Sequence, residues 1–487
     1  VTTVVVDTLA AAAARVDPDA HVVGPGGTVI TSVCLDSRQA GPGSLFACVR
    51  GAVTDGHRHA AEAVARGAAA IMVDHVLDDA GLTVAGSGPV PQLVVSDVRR
   101  CVGPVAATQF DNPSQALDVV GVTGTNGKTT TVSLVADVMA VAGRPCTVIG
   151  TLTGVRTTPE APELQRRLAA ARDHGSSVVA MEVSSHALDQ HRVDGTRFAV
   201  AVFTNLSRDH LDYHGDMDSY FTAKARLFTP ELCDHAVITV DDDAGRRLAA
   251  SVSVPVTTCS VADVSDVEMG PAGTGFTWRG QRVGLRLAGR FNVANAVAAA
   301  TAATVLGVDP EVIAAGLATT EAVPGRFERV EAGQPFTVVV DFAHTPDALA
   351  QVLAAATEMA AGATAIVVFG CGGERDASKR ALMGKVAAES GADVVVTADN
   401  SRSESTDDIV AAIVEGVASV PGGSDACTVQ TDRRLAMALA LDRARPGDVV
   451  VVAGRGHEQH LTIGDTPVPF DDRAVATELL AERGWVA

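Results

Sequence analysis

Residues 121–130, Gly-Val-Thr-Gly-Thr-Asn-Gly-Lys-Thr-Thr, constrain the fold more than any other stretch of the chain. They follow an apolar run at 117–120 and precede a helical pattern over 132–140. A strand that stops at a glycine-rich turn and continues as a helix aims several backbone N–H groups at one point, where the helix N-terminus adds positive potential. Such a turn is a phosphate cradle, and it needs a parallel strand to deliver it. Lys128 can reach β/γ-phosphates from there, and the Thr129 hydroxyl can hold Mg²⁺. The loop departs from the common nucleotide pattern, because Val122 takes the first-glycine place and the glycines fall at 121, 124 and 127. Strand, glycines, Lys-Thr and helix still occur in the required order, so ATP or GTP is the expected ligand.

The chain is long enough, at 487 residues, for two to four domains with their own cores. Its net charge of −20 argues against a general nucleic-acid binder, though a local basic pocket can still take an anion. The eight cysteines show no CxxC spacing, which predicts reduced thiols rather than disulfides or zinc. No apolar run is long enough to span a bilayer, and the first basic residue is Arg15, so a cytoplasmic location without membrane insertion is expected.

Three segments are expected, at 1–108, 109–325 and 326–487. The first has short β-like runs at 28–33, 44–49, 70–73 and 92–95 and an Ala-rich helix near 59–66. In the second, runs at 177–182, 198–203 and 235–240 alternate with helical stretches, which predicts a parallel sheet with crossover helices. The breaker cluster Val323-Pro-Gly-Arg326 precedes a third segment with the same rhythm, with strands at 336–341, 363–369, 394–398 and 448–453 and helices at 348–361 and 406–417. The predicted class is α/β in three domains, with a central phosphate-loop domain and a C-terminal Rossmann-like one.

Several polar motifs follow these strands. Glu182, in Met181-Glu-Val-Ser-Ser-His186, would face the crevice at a strand end and could hold Mg²⁺. In residues 204–215, Asp209 and His210 are candidate metal or phosphate ligands. Arg326, Asp341, His344 and Asp347 could read a nucleotide, and the turn at 370–376 carries Arg375 beside Lys379 and Arg380. Asp399-Asn-Ser-Arg402 and Gly454-Arg-Gly-His-Glu458 also follow strands. In an open α/β sheet all of these gather at one crevice. Lysine occurs only at 128, 224, 379 and 385 while arginine supplies the remaining cations, so each lysine is a candidate for work specific to an amine. Lys385 reads as a surface residue.

Taken together, these motifs resemble the Mur ligase family, which builds the peptide of cell-wall precursors. The resemblance covers nearly the whole chain: the loop at 124–129, Glu182-Val-Ser-Ser-His186, 204–215, Gly289-Arg-Phe-Asn-Val-Ala-Asn295, Pro324-Gly-Arg326 and 341–347 fall in the family's order. Leu35-Asp-Ser-Arg38, Pro42-Gly-Ser-Leu-Phe46 and Asp55-Gly-His57 are similar to the UDP-binding domain of the members that add the third residue.

The resemblance implies the following roles. Leu35, Ser37 and the loop Ala52, Val53, Thr54 would hold UDP. Thr157, Thr158, Ser184, Gln190 and Arg192 would hold the muramoyl peptide. Thr123, Gly124, Thr125, Asn126, Gly127, Lys128 and Thr129 would cradle the ATP phosphates, with Asn292, Asn295, Arg326, Asp341 and His344 around the nucleotide. Thr129 and Glu182 would hold one Mg²⁺; His210 and a carbamylated Lys224 would hold another. Catalysis would rest on Lys128, Glu182, His210 and Lys224.

The amino acid would meet Arg375, Asp399, Asn400, Arg402, Gly454 and Glu458. Four positions depart from the family's usual residues: Ser401 for proline, Glu374 for Asp, Arg455 for Lys and Arg156 for Asn. In the family the pattern Asp-Asn-Pro-Arg goes with meso-diaminopimelate, with whose distal carboxylate an arginine can pair; with Arg402 kept, the resemblance implies meso-diaminopimelate ahead of lysine, ornithine or another diamino acid. The partners expected are thus small molecules, and a monomer is expected. A different Mur step, a folylpolyglutamate-type ligase or a non-catalytic nucleotide-dependent scaffold are the alternatives.

Overall fold

The computed structural model describes residues 3–51, 54–78, 81–84, 88–270, 273–464 and 466–485. Three α/β lobes follow one another along the chain, each built on its own sheet. The N-terminal sheet orders its strands His21–Val23, Gln92–Val94, Ala70–Val73, Ser44–Ala47 and Ser32–Cys34. All of its pairings are parallel except that of the His21–Val23 edge. The β-like stretch expected at 28–33 divides at Thr31 into Val29–Ile30 and Ser32–Cys34, which pair with different partners.

The central sheet has six parallel strands, ordered Cys146–Ile149, Val178–Glu182, Asp118–Thr123, Val200–Phe203, Ala236–Thr239 and Val256–Cys259. Its four inner strands are buried on both faces, which is why they read as nearly continuous apolar runs, while the two edge strands are part-exposed. Helices Lys128–Val141 and Arg290–Val305 cover one face. On the other, Leu164, Leu168, Phe198 and Phe203 share a core. The loop-bearing strand Asp118–Thr123 lies between two strands reached by chain excursions to opposite sides, so its C-terminal end is a topological switch point.

The α/β rhythm did not announce the antiparallel sheet Val264–Gly270, Gly273–Trp278 and Gln281–Leu285. Along its middle strand buried and part-exposed residues alternate, and Phe276 and Trp278 enter the central core.

The C-terminal sheet orders Glu328–Val330, Thr337–Asp341, Val449–Ala453, Ala365–Phe369, Asp393–Val396 and Cys427–Val429. It is parallel apart from the Glu328–Val330 edge. A hairpin, His460–Ile463 with Thr466–Pro469, follows the strand carrying Ala453. The N-terminal lobe docks through helix Val98–Gln109, on which Gly103 lets the backbone of Asp194 approach: a Cβ there would lie 2.1 Å from the Asp194 carbonyl oxygen. No helix among the described residues is long and apolar enough to cross a membrane. All eight cysteines are free thiols.

Candidate active site

The phosphate loop is shaped by two close approaches that exclude a side chain. Gly124 has φ +150°, and a Cβ on it would meet Thr204 Oγ1 at 1.9 Å. Gly127 caps helix Lys128–Val141 at φ +86°, where a Cβ would meet Asn295 Oδ1 at 2.2 Å. The loop is held from the neighbouring strand end. Thr125 N donates to the Asn205 carbonyl (2.9 Å) and Asn126 N to Asn205 Oδ1 (2.9 Å). Lys128 Nζ folds back over its own loop, donating to the carbonyls of Gly124 (2.9 Å) and Thr125 (2.8 Å). Thr123 and Asn292 are buried: Thr123 ends the strand, and Asn292 accepts from Asn295 Nδ2 (3.2 Å).

Thr129 and Glu182 meet as the sequence predicts, the hydroxyl donating to Glu182 Oε2 at 3.0 Å. The other carboxylate oxygen accepts from Thr151 N (2.8 Å). Arg326 NH2 also donates to Thr129 Oγ1 (3.1 Å), while its guanidinium lies over Phe342. Asp341 accepts from Phe327 N (2.6 Å) and Ala343 N (2.7 Å), and burial pushes its carboxyl upward despite Arg326 nearby.

Lys224 is 1% exposed. Its Nζ donates to the Gly124 carbonyl (2.8 Å), the same oxygen that Lys128 uses, and lies 4.6 Å over the Tyr220 ring. Among the described residues no ion pair is made there. Burial, then the charge of Lys128, holds its amine well below the usual lysine range.

Beside it, His210 sits at φ +53° in the left-handed region, next to Asp209. Burial lowers its imidazole to about 3. Asp209 resists the upward push of burial because His344, His210 and Lys379 surround it, and its carboxyl falls below the usual range. The chain's two tyrosines, Tyr213 and Tyr220, pack here against His186, His210 and His214.

Thr158, Ser184, Gln190 and Arg192 form one chain of contacts. Ser184 N donates to Thr158 Oγ1 (3.0 Å), Arg192 NH1 to the Thr158 carbonyl (3.3 Å), and Arg192 NH2 to Gln190 Oε1 (2.6 Å). Thr157 joins through Thr151 (3.0 Å). Three guanidiniums, of Arg99, Arg156 and Arg192, converge on Glu160 beside them.

The C-terminal lobe closes over this crevice. Asn126 Nδ2 donates to Asp347 Oδ2 (3.1 Å), His344 approaches Asp209 (3.6 Å), and Arg208 reaches Asp376 (3.3 Å) and Ser378. A cavity of about 450 Å³ results. Asn126, Lys128, Thr129, Glu182, His210 and Lys224 line it from the central lobe, with Thr157 and Ser184 at one side. From the other lobe come Arg326, Asp341, His344, then Arg375, Asp399, Asn400, Arg402, Gly454 and Glu458.

Asn400 Nδ2 donates to Glu458 Oε2 (2.8 Å), and burial raises the Glu458 carboxyl. Arg402, at φ +51°, donates to the carbonyls of Gly373 (2.6 Å) and Asn400 (3.4 Å). The loop holding Ser401 is stapled by the hairpin, since Thr462 N donates to Asn400 Oδ1 (2.7 Å) and Arg402 N to the Thr462 carbonyl (3.3 Å).

Leu35, Ser37 and Thr54 lie in the N-terminal lobe, outside this cavity. Ser37 donates to Glu62 Oε2 (2.9 Å), and Thr54 Oγ1 contacts His59 Nε2 (3.1 Å). Ala52 and Val53 lie outside the described residues. Lys385 is a surface residue beside Glu389, as expected. Motif reading passed over Arg208 and Thr151, whose parts come only from contacts distant in sequence.

Three family models match in chain order: Mur ligase family, catalytic domain, at residues 29–107; Mur ligase middle domain at 122–303; and Mur ligase, glutamate ligase domain, at 325–456. A protein of Streptomyces coelicolor named UDP-N-acetylmuramoyl-L-alanyl-D-glutamate–2,6-diaminopimelate ligase is 44% identical over 94% of this chain and 94% of its own. The chain belongs to the Mur ligase family. A relative of the same name from Syntrophomonas wolfei is 40% identical over 94% of this chain and 96% of its own. A solved structure of a ligase of that name is 31% identical, covers 99% of this chain and 100% of its own, and superposes with a TM-score of 0.67. The three lobes of this Mur ligase therefore follow an architecture shared with its relatives.

Proposed function

We propose that this Mur ligase is an ATP-dependent ligase joining a diamino acid, meso-2,6-diaminopimelate, to UDP-N-acetylmuramoyl-L-alanyl-D-glutamate in peptidoglycan precursor synthesis. The observation that carries the reading is the single cavity bounded by the phosphate loop, Glu182, Lys224 and the Arg375/Arg402 pocket. Its lining suits a triphosphate, an acid and an amine side by side, which the names of the relatives also call for.

In the first step an oxygen of the D-glutamate γ-carboxylate bonds to the γ-phosphorus of ATP, and the bond to the β-bridging oxygen breaks, releasing ADP. In the second the amine nitrogen attacks the acyl-phosphate carbonyl carbon. The tetrahedral intermediate collapses to the amide, with loss of phosphate and of the amine's proton. Lys128 and the loop N–H groups neutralise and orient the phosphates. Leu35, Ser37 and loop 52–54 take UDP; Thr157, Thr158, Ser184, Gln190 and Arg192 take the muramoyl dipeptide. Asn292 and Asn295 shape the nucleotide side with Arg326, Asp341 and His344. Closure keeps water from the acyl phosphate. The divisions near 108/109 and 325/326 are the joints across which the lobes meet.

Two oxygen donors, Thr129 Oγ1 and Glu182, already face each other, which suits Mg²⁺, and His210 lines the same cavity, where burial favours the neutral imidazole that a metal needs. Burial and the nearby charge of Lys128 both disfavour the charged Lys224 ammonium, which suits addition of CO₂ to its amine to give a carbamate and a proton, and the resulting anion would offset the charge of Lys128. Bound magnesium supplies charge neutralisation at the transferring phosphoryl group.

Arg402 and Arg375 make no ion pair among the described residues, and both line the cavity. That leaves guanidinium charge for a distal carboxylate, which diaminopimelate has and lysine lacks. The test is a panel of amino acids with the UDP-dipeptide and ATP. Phosphate release should require all three components and be greatest with diaminopimelate. Arg402→Ala should lose roughly tenfold or more in kcat/KM for diaminopimelate with acceptor KM unchanged. Preference for lysine, or equal loss for both substrates, would refute the assignment. The protein is proposed to act as a cytoplasmic monomer.

A further inference from the structure

One buried ion pair lies outside the cavity and touches the chain just behind two of its walls. Arg433 and Asp472 have side chains 0% exposed. Two N–H donors of the guanidinium meet the carboxylate, Nε at 2.8 Å from Oδ1 and NH2 at 2.7 Å from Oδ2. The same guanidinium donates NH1 to the Ala398 carbonyl (3.1 Å) and NH2 to the Ala453 carbonyl (3.0 Å). Ala398 immediately precedes Asp399-Asn400, and Ala453 immediately precedes Gly454. The strands Asp393–Val396 and Val449–Ala453, which lead into these two points, are not neighbours in the sheet, since Ala365–Phe369 runs between them. Arg433 therefore spans an intervening strand and ties together two walls of the pocket that no direct ladder joins.

Local physics does not favour an arginine here. Arg433 opens helix Arg433–Arg443, where the helix end disfavours a cation. A buried ion pair is also a weak source of stability compared with apolar residues of similar volume. What only a guanidinium provides is a planar fork able to serve a carboxylate and two carbonyls together.

Asp472 has a second cationic neighbour. Arg455, also fully buried, lies with Nε 4.0 Å away and donates NH2 to the carbonyls of His460 (2.7 Å) and Phe470 (3.1 Å), where the chain enters and leaves the hairpin. That hairpin in turn holds Asn400 and Arg402 through Thr462. The contacts form a closed circuit behind the pocket.

We infer that Arg433 is a positioning residue for the amino-acid pocket, setting the separation of Asp399–Arg402 from Gly454–Glu458, and that Asp472 orients it. The inference rests on the pocket's assignment to the incoming amino acid.

The experiment compares Arg433→Lys, whose single ammonium can keep the charge but cannot span both carbonyls, with Asp472→Asn and with a control, Arg434→Ala. Arg434 joins the same two helices on the surface through Glu478 and Glu482. In Arg433→Lys the KM for diaminopimelate should rise about tenfold or more, while KM for ATP and the acceptor stay within about twofold. Asp472→Asn should raise the same KM alone, and Arg434→Ala should change none. ADP formed in a single turnover without amino acid should be unaltered in all.

Unchanged diaminopimelate KM in both Arg433→Lys and Asp472→Asn would overturn the inference. So would a common rise of all three KM values with a fall in Tm, which is the mark of a merely structural pair. If wild-type protein ligates no diamino acid, the functional reading fails instead. The clamp is then judged by hydrogen exchange, which must accelerate at 398–402 and 454–458 in Arg433→Lys relative to Arg434→Ala.

Discussion

Lys224 shows how much one residue's surroundings decide. On its helix, Met217–Ala225, nothing distinguishes it from a solvated lysine except the scarcity of lysine in the chain. Packing puts it under the phosphate loop, sharing the Gly124 carbonyl with Lys128, where among the described residues its ammonium makes no ion pair and the pull of Asp209 does not offset burial and the charge of Lys128. Lys224→Ala is therefore expected to lower turnover at least a hundredfold, on the scale of losing a group that acts on the transition state. Added bicarbonate should not restore it, because the amine that would take up CO₂ is gone. Near-normal phosphate release by this variant would remove the carbamate from the mechanism. Glu182 was legible sooner, since a carboxylate ending an apolar parallel strand has few structural uses. Arg433 was not legible, because its partners lie 20 to 39 residues away and none belongs to a motif.

Most elements were legible because their strands are buried on both faces and so stand out as apolar runs. Predicted 177–182 is Val178–Glu182, 198–203 is Val200–Phe203, 448–453 is Val449–Ala453, and helix 406–417 is Thr406–Ala418. The 264–285 sheet escaped notice because only alternate residues are buried, and the hairpin at 460–469 because its strands are largely exposed.

Elements also carry the closure. The 204–215 segment and the 370–378 turn touch through Arg208, Asp376 and Ser378. Arg208 is largely exposed, so after solvent screening the pair contributes on the order of 0.5 kcal/mol. It is one of several latches, alongside Asn126–Asp347 and Thr129–Arg326. Arg208→Ala should lower kcat several-fold and shift the population toward a more open shape in small-angle scattering with nucleotide. Unaltered scattering and kcat would show that the contact does not hold the lobes.

At the scale of the whole molecule, acid should loosen the fold. Burial first, and then neighbouring positive charge, lowers His186 and His457 to about 4; burial also lowers His210, to about 3. Unfolded, each titrates near 6.5. Between about pH 4 and 6.5 the unfolded chain thus binds more protons than the folded one, so stability grows with pH through this window and falls on acidification. Ligand-free protein should show Tm declining over this range, and His457→Gln should make the slope shallower. An identical slope in the variant would mean that its imidazole is not held neutral by the fold.

The amino-acid order alone determined three α/β units, a triphosphate cradle and a set of strand-end motifs, because each depends on neighbours within a few residues: hydrophobic period, glycine φ, a helix start. Only the tertiary structure decided which of those motifs share a cavity, that Lys128 and Lys224 share one carbonyl, and that Arg433 ties the chain just before Asp399 to the chain just before Gly454. Those outcomes depend on burial and on contacts between residues far apart in the chain, where desolvation sets the state of a charge and no local pattern records it.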